Sequence, residues 1–256
     1  MFHYIYNLNF SIMKKTTLYV PFFIVLLLLI SGCEKDKGSL EIKLNPTFGN
    51  EVFDVNKWFV NDAGDSLRFT VFKLYLADIS LKDDKGKSII AKDIAYFNIN
   101  QTDPKVLSVL GEKVKTGSYS KVGFSFGLND EQNNTDPSSV DCPNPLCADN
   151  DMWWGSTLKY THIKLEGNYK KSGSGTNGIL LYHVGLSSNR RDFEFSKSIN
   201  INEDSKSELI INLDIKTLLG GSNPFNLLTE NVTQTTDEPA VASKFANKFG
   251  SALSIP

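Results

Sequence analysis

The fold is decided by two neighbouring segments, LKYTHIKLEGNY at residues 158–169 and ILLYHVGL at residues 179–186. In the first segment, Ile163 and Leu165 alternate with polar residues at the two-residue period of a β-strand. The second segment is rich in the branched and aromatic residues that strands favour. Residues 170–178 between them are rich in Gly and Ser, which is typical of a hairpin loop. We therefore predict two antiparallel strands.

The same period predicts strands over much of the remaining chain. They cover residues 40–44, with Pro46 stopping the run, then 67–81, 89–99 with an interruption near Asp93, 118–128, 192–199 and 206–215. The run from 67 to 81 is apolar on both faces over part of its length, as in a strand covered on both sides. Many short strands separated by turn residues favour an all-β fold, either an antiparallel β-sandwich or a barrel-like domain.

Helical signals are confined to short segments. Residues 217–219, closed by two glycines, and residues 240–249, which are amphipathic, predict short helices near the C-terminus. Asp103 is a suitable N-cap for another short helix at residues 104–110, which begins with proline.

The first 32 residues have the pattern of a bacterial lipoprotein signal. Lys14 and Lys15 follow Met13, an apolar run comes next, and small residues precede Cys33. The apolar run is shorter than the roughly 20 residues that a bilayer-spanning helix needs. We expect translation to start at Met13 and the mature chain to begin at Cys33.

Lipidation at Cys33 defines the expected organisation of the chain. Several acyl chains give stable membrane anchoring where one chain is marginal. Residues 33–38 then form the lipidated cysteine and a polar linker, and residues 39–256 form one β domain. We expect an outer-membrane lipoprotein of the cell envelope that faces the periplasm or the cell surface.

The charge of the chain excludes one class of partner. The formal net charge is −2, and it becomes −4 when residues 1–32 are removed, because these contain two lysines and no acids. Nucleic-acid binding needs a footprint of Lys and Arg side chains. Arg190 and Arg191 alone are too few, so we expect no nucleic-acid partner.

Two thiols remain if Cys33 is lipidated, at Cys142 and Cys147. Two nearby cysteines in an oxidising compartment most simply form a disulfide. A structural zinc site needs four ligands, and no second cysteine pair supplies them.

The sequence lacks the motifs of the common enzyme classes. It has no Gly-x-Ser-x-Gly, no phosphate-binding glycine loop, no His-Glu-x-x-His and no dinucleotide fingerprint. His162 and His183 are the only histidines after residue 33, which leaves little room for a Ser/His/Asp triad. We therefore expect that the protein is not an enzyme.

Both of these histidines and two of the three tryptophans lie within residues 151–185. On the first predicted strand, alternation places Tyr160, His162, Lys164 and Glu166 on one face, and the register decides whether His183 shares it. Imidazole together with thioether suits copper. The candidate metal ligands are His183, His162 and Met152, and the site-lining candidates are Trp154, Trp153 and Tyr160. The alternative is a hydrogen-bonded core histidine at 183 and a solvated one at 162.

A second function class is suggested by residues 129–150, a long irregular segment. Structureless loops of this length are uncommon and often functional. Its carboxylates could hold calcium, and an exposed aromatic such as Trp153 could stack on a sugar, as in a non-catalytic surface interaction module that binds calcium or glycans. The acids in and beside this segment are Asp130, Glu131, Asp136, Asp141, Asp149 and Asp151.

Four segments carry a resemblance to the MbnP-like domain family. Met152–Gly167 resembles the family's Met-aromatic-Trp segment leading into a strand that ends Glu-Gly, and Tyr182–Gly185 resembles its Tyr/Phe-His-x-Gly strand end. Leu74–Leu81 and Phe124–Leu128 look like its Tyr-Leu-Ser-Asn-Ile-x-Leu and Phe-x-Leu-Gly elements. The resemblance covers most of residues 40–252.

The resemblance implies a β-sandwich lipoprotein of the type common in Bacteroidetes. It also implies copper handling, as in the founding member, beside a MauG-like di-haem partner that oxidises a tryptophan to kynurenine. By position, Trp154 matches the family tryptophan and His183 the family histidine.

Overall fold

The computed structural model describes residues 36–99 and 107–256. The predicted lipoprotein signal, Cys33 and residues 104–106 of the predicted helix at 104–110 lie outside these residues. The strands are β1 (Lys37–Phe48), β2 (Glu51–Val52), β3 (Trp58–Val60), β4 (Ser66–Lys82), β5 (Ser88–Asn98), β6 (Ser108–Lys115), β7 (Gly117–Phe126), β8 (Thr161–Lys170), β9 (Asn177–Gly185), β10 (Arg191–Ile201), β11 (Lys206–Asp214), β12 (Val232–Thr233) and β13 (Leu253–Ser254). The α-helices are α1 (Asp130–Asn133), α2 (Gly155–Leu158), α3 (Ile215–Leu219) and α4 (Pro239–Phe249).

The strands form two sheets in a sandwich-like arrangement. The smaller sheet has the order β13-β11-β1-β2, with β6 also paired to β1. The larger sheet has the order β10-β7-β4-β8-β9-β12, with β3 and β5 also paired to the long strand β4. The predicted all-β fold is confirmed. Most pairs are antiparallel as predicted, but β1 pairs with β11 in parallel, and β9 with β12.

The core is built by the side chains that the period-2 pattern marks as inward-facing. Leu40, Ile42 and Leu44 of β1 are buried. Helix α4 closes part of this core with its apolar face, on which Phe249 stacks against Phe126 of β7 at 4.3 Å between ring centroids. The predicted helix at 240–249 is therefore confirmed, and it contributes to the core.

Four details of the predicted strands and helices are wrong. Strand β1 continues through Pro46 to Phe48, and Pro46 lies past the last β1–β6 pair, Lys43 with Ser108, so a proline can be accommodated there. Strand β5 is not interrupted at Asp93. The register instead shifts near Ala91, where Ile79 pairs with Lys92 and Ser80 with Ile90.

The other two errors involve competition between local and tertiary signals. Residues 108–110 of the predicted helix belong to β6, because pairing with β1 outweighs the local capping signal. The strand predicted from residue 158 begins at Thr161, because Gly155–Leu158 form helix α2 and Lys159 has a positive φ of 60°.

A second, smaller cluster of buried side chains lies apart from the main core. It comprises Tyr75, Ala77, Ile94, Leu128, Leu146, Met152 and Tyr160. These residues come from strands of the larger sheet and from the segment between β7 and β8, which packs on them. Within residues 36–99 and 107–256, no helix has the length and apolar character needed to cross a membrane.

Candidate metal centre

Three residues of the larger sheet form one row across adjacent strands. Lys73 of β4 pairs with Lys164 of β8, and Lys164 pairs with His183 of β9. Paired residues of antiparallel strands point to the same face, with their Cβ atoms about 4.5–5.5 Å apart. Glu166 lies two residues along β8 and therefore shares this face.

His183 has one hydrogen-bonded ring nitrogen and one without a partner. Its Nε2 lies 2.7 Å from Oε1 of Glu166. Its Nδ1 is buried and has no hydrogen-bond partner among the described residues. Because a carboxylate can only accept, we assign the proton to Nε2, which leaves the lone pair of Nδ1 unused.

Trp154 packs against the His183 imidazole. The two ring centroids are 5.1 Å apart and the rings are perpendicular. Trp154 belongs to a short hairpin, residues 152–161, here called the Trp hairpin. In it the Trp154 N–H donates to the Lys159 carbonyl at 2.8 Å, and the Thr161 N–H donates to the Met152 carbonyl at 2.8 Å.

Burial keeps the His183 imidazole neutral. Burial lowers the pKa of His183, while the hydrogen bond and negative charge of Glu166 act in the opposite direction and only partly offset it. A neutral imidazole is the form that binds metals. His183 is therefore an oriented, uncharged nitrogen donor on a sheet face.

The structure gives His162 very different surroundings. Thr161 pairs with Gly185 and Ile163 with Val184, so His162 is the extra residue of a β-bulge, and the predicted alternation fails at this point. Its ring packs edge-on against Phe126, 6.0 Å between centroids. The side chain is 0% exposed, so the alternative of a solvated His162 is wrong.

Neither ring nitrogen of His162 has a hydrogen-bond partner among the described residues. Burial, with a smaller contribution from the positive charge of Arg190, lowers the pKa of His162 to about 3. Gly127 is required beside it, because a Cβ at that position would lie 2.2 Å from the His162 Nδ1. The two histidines thus have separate neighbours, Phe126 for one and Trp154 for the other.

Met152 lies in the smaller buried cluster with Tyr75 and Tyr160. It is 1% exposed, and its Sδ lies 3.8 Å from the Thr161 hydroxyl oxygen, which also donates to the Met152 carbonyl. Trp153 packs on Tyr160 with 4.8 Å between centroids. Within the described ranges, no three His, Cys, Asp or Glu side chains converge as a metal cluster would require.

Residues 129–150 precede the Trp hairpin and are here called the disulfide segment. They are held by one predicted contact and by others that were not predicted. Cys142 and Cys147 form the predicted disulfide. The hydroxyls of Tyr75 and Tyr160 donate to the carbonyls of Pro145 and Leu146, each at 2.7 Å. Burial raises the pKa of Tyr160 to about 12, so this hydroxyl stays protonated and remains a donor.

The acidic residues of this segment mostly serve local structure. Asp130 and Glu131 lie in the first turn of α1, where they interact favourably with the helix dipole. Asp136 accepts hydrogen bonds from the backbone N–H and hydroxyl of Ser138. Asp151 forms salt bridges with Lys73 and Lys164.

The residues present fit a transition-metal ion such as copper in one respect. His183 offers a buried nitrogen with no partner, and a carboxylate orients its ring from the opposite side, which is the arrangement seen around metal-binding histidines. The neighbouring indole can interact favourably with a cation. The described residues therefore provide one prepared donor beside a tryptophan.

The fold and this face define the class of protein. It is a β-sandwich in which a histidine is hydrogen-bonded to a carboxylate and packs against a tryptophan. A model of the MbnP family matches residues 37–238. The chain therefore belongs to the MbnP family. No curated protein matches this chain.

Among solved structures, the chain is similar to MbnP from Methylosinus trichosporium. The two are 14% identical, with a TM-score of 0.54, and the match covers 85% of this chain and 97% of that chain. At this identity the likeness shows a shared fold.

Proposed function

We propose that this protein is a non-catalytic lipoprotein of the cell envelope that binds copper at a site centred on His183. The observation that carries the proposal is the His183 ring, whose Nε2 is bonded to Glu166 while its buried Nδ1 has no partner among the described residues. Membership of the MbnP family supports the choice of copper.

Each residue of the proposed site has a separate task. His183 Nδ1 would donate to the ion, and Glu166 would keep the proton on Nε2 and hold the ring in place. Trp154 would shield the site and offer its ring to the cation. A bound copper ion would supply one-electron redox chemistry.

Titration with copper of protein lacking residues 1–32 tests the site. We expect His183→Ala to weaken binding by at least about ten-fold, because the one prepared donor is lost. Asp141→Ala, in the disulfide segment, is the control and should bind as wild type does. Equal affinity of wild type and His183→Ala would contradict the proposal. Binding of calcium alone would instead favour the interaction-module alternative.

The proposed partner is a di-haem protein of the MauG-like class, which acts on a tryptophan in the family's founding member. Trp154 is the candidate, because it contacts His183. Conversion of tryptophan to kynurenine removes one carbon and adds one oxygen, so peptide mass analysis of protein from its native host identifies the modified position. If protein from the native host carries copper but its Trp154 is unmodified, the copper role does not depend on this partner.

The proposed anchor is tested independently. Cys33→Ser should release the mature domain from the membrane fraction, because acyl chains would provide the attachment. A Cys33→Ser protein of mature length that still sediments with membranes would contradict lipid anchoring.

A further inference from the structure

A carboxylate is held between two lysines beside His183. Lys164 is only 5% exposed, and a buried ammonium group is costly unless an opposite charge pairs with it. Asp151 provides that charge, since its Oδ2 accepts from Lys164 Nζ at 3.0 Å and from Lys73 Nζ at 3.3 Å. The side chain of Asp151 itself is 72% exposed, so no core packing holds it there.

The chain around Asp151 is fixed at the same point. Lys73 Nζ also donates to the Asn150 carbonyl at 3.1 Å, and the Tyr96 hydroxyl donates to that carbonyl at 3.3 Å. The backbone of Asp151 has a φ of 54°, a left-handed conformation that Asp and Asn adopt more readily than other residues with a side chain. An Asn substitution therefore preserves the backbone while removing the charge.

Trp154 follows three residues later, so its place depends on two attachments. On one side the Trp hairpin is closed by the bonds between Met152 and Thr161 and between Trp154 and Lys159. On the other side, Asp151 ties the start of the hairpin to Lys164, which is directly opposite His183. These attachments together bring the Trp154 ring onto the imidazole.

We infer that Asp151 is a positioning residue, which through Lys73 and Lys164 holds Trp154 against His183 and so sets the affinity of the proposed metal site. The effect on affinity rests on the proposed function. The placement of Trp154 does not, and it can be measured in metal-free protein.

The first measurement is the NMR chemical shift of the His183 ring protons at one fixed pH in metal-free protein. The ring current of Trp154 changes the chemical shift of these protons. The Trp154→Leu variant gives the chemical shift in the absence of that ring current. We expect Asp151→Asn to move the shift towards the Trp154→Leu value. A folded Asp151→Asn protein with the wild-type shift would overturn the inference.

The matched control is Glu194→Gln. Glu194 also lies between two lysines of the larger sheet, Lys82 at 3.1 Å and Lys121 at 2.5 Å, but it is on β10 and not beside His183. We expect this variant to keep the wild-type shift. If Asp151→Asn fails to fold, the Asp151→Asn/Lys164→Met double variant removes both charges and should show the same loss of the Trp154 ring current.

The second measurement is copper affinity. We expect Asp151→Asn to bind copper about ten-fold more weakly than wild type, because Trp154 would no longer be held against the proposed ligand His183. Glu194→Gln should bind normally. Loss of the ring-current effect together with no copper binding by wild type would uphold the positioning role and contradict the proposed function. If wild type binds copper and the His183 shift is unchanged in Asp151→Asn, the proposed function is upheld and the positioning role of Asp151 is contradicted.

Discussion

His162 and His183 show how the same type of side chain acquires different roles in different surroundings. His183 has a carboxylate on one nitrogen and an indole against its ring. His162 is enclosed at a β-bulge, where burial lowers its pKa to about 3. The first arrangement prepares a donor, and the second makes the fold sensitive to acid.

Glu166→Gln should weaken copper binding about 10- to 100-fold without removing it. An amide can replace the carboxylate as a hydrogen-bond acceptor but leaves the ring less basic and less firmly oriented. Competition titration against a chelator measures the change. Glu112→Gln, an exposed position on β6, should have no effect. An equal loss in both variants would show that the contact of Glu166 with His183 is not what sets the affinity.

Acid should destabilise the protein partly through His162. Its pKa is about 3 in the folded protein against 6.5 for an ordinary histidine. Between these pH values, His162 binds a proton in the unfolded chain but not in the folded protein. The contribution of His162 to stability is therefore fully present above pH 6.5 and is lost as the pH falls towards 3. The slope approaches about 1.4 kcal/mol per pH unit for this one group.

Urea unfolding of wild type and His162→Leu at several pH values between 7 and 4 isolates this effect. The variant lacks the titrating group, so its stability should fall less steeply with acid, whatever its stability at pH 7. Parallel curves for the two proteins would mean that His162 does not titrate as its burial implies.

At the scale of elements, the disulfide segment is attached to the sheet and to the Trp hairpin by tyrosine hydroxyls. Tyr160→Phe removes the donor to the buried Leu146 carbonyl, and an unsatisfied buried acceptor costs about 1–3 kcal/mol. Tyr96→Phe removes a longer bond of 3.3 Å and should cost less. Denaturant unfolding of both variants checks this order, and a larger loss in Tyr96→Phe would contradict it.

The strands were predictable from the sequence because alternation of buried and exposed side chains is local information. Leu40, Ile42 and Leu44 show this, since all three are buried as the pattern requires. The bulge at His162 and the bonds of Asp151 to two lysines were not predictable. They depend on the register between strands and on the path of a long connection, which the local pattern does not encode.

The nearness of Trp154 and His183 could be anticipated from their positions on consecutive segments, whereas the partner of each histidine could not. Glu166 was predicted on the same strand face as His162, yet it bonds His183. One extra residue in a strand is enough to move a side chain to new neighbours.

At the scale of the whole molecule, the family match ends at residue 238 but the core does not. Helix α4 follows directly, and its Phe245 and Phe249 are fully buried. Deleting residues 239–256 should abolish cooperative thermal unfolding, because the main core loses this covering. Phe249→Ala should cost about 3–5 kcal/mol, and a truncated protein as stable as the full domain would contradict this account.

The parallel pairing of β1 with β11 has a mechanical consequence. The nine pairs run from Ser39 with Lys206 to Thr47 with Asp214, so the first end of β1 and the last end of β11 lie at opposite ends of the ladder. Tension applied between these two ends shears all the rungs together instead of peeling them singly. We expect force spectroscopy with handles at residues 37 and 214 to record one high-force rupture, and a gradual low-force extension would refute this. If the domain is held through residue 37, as the proposed anchor requires, tension on that end would not separate the strands one by one.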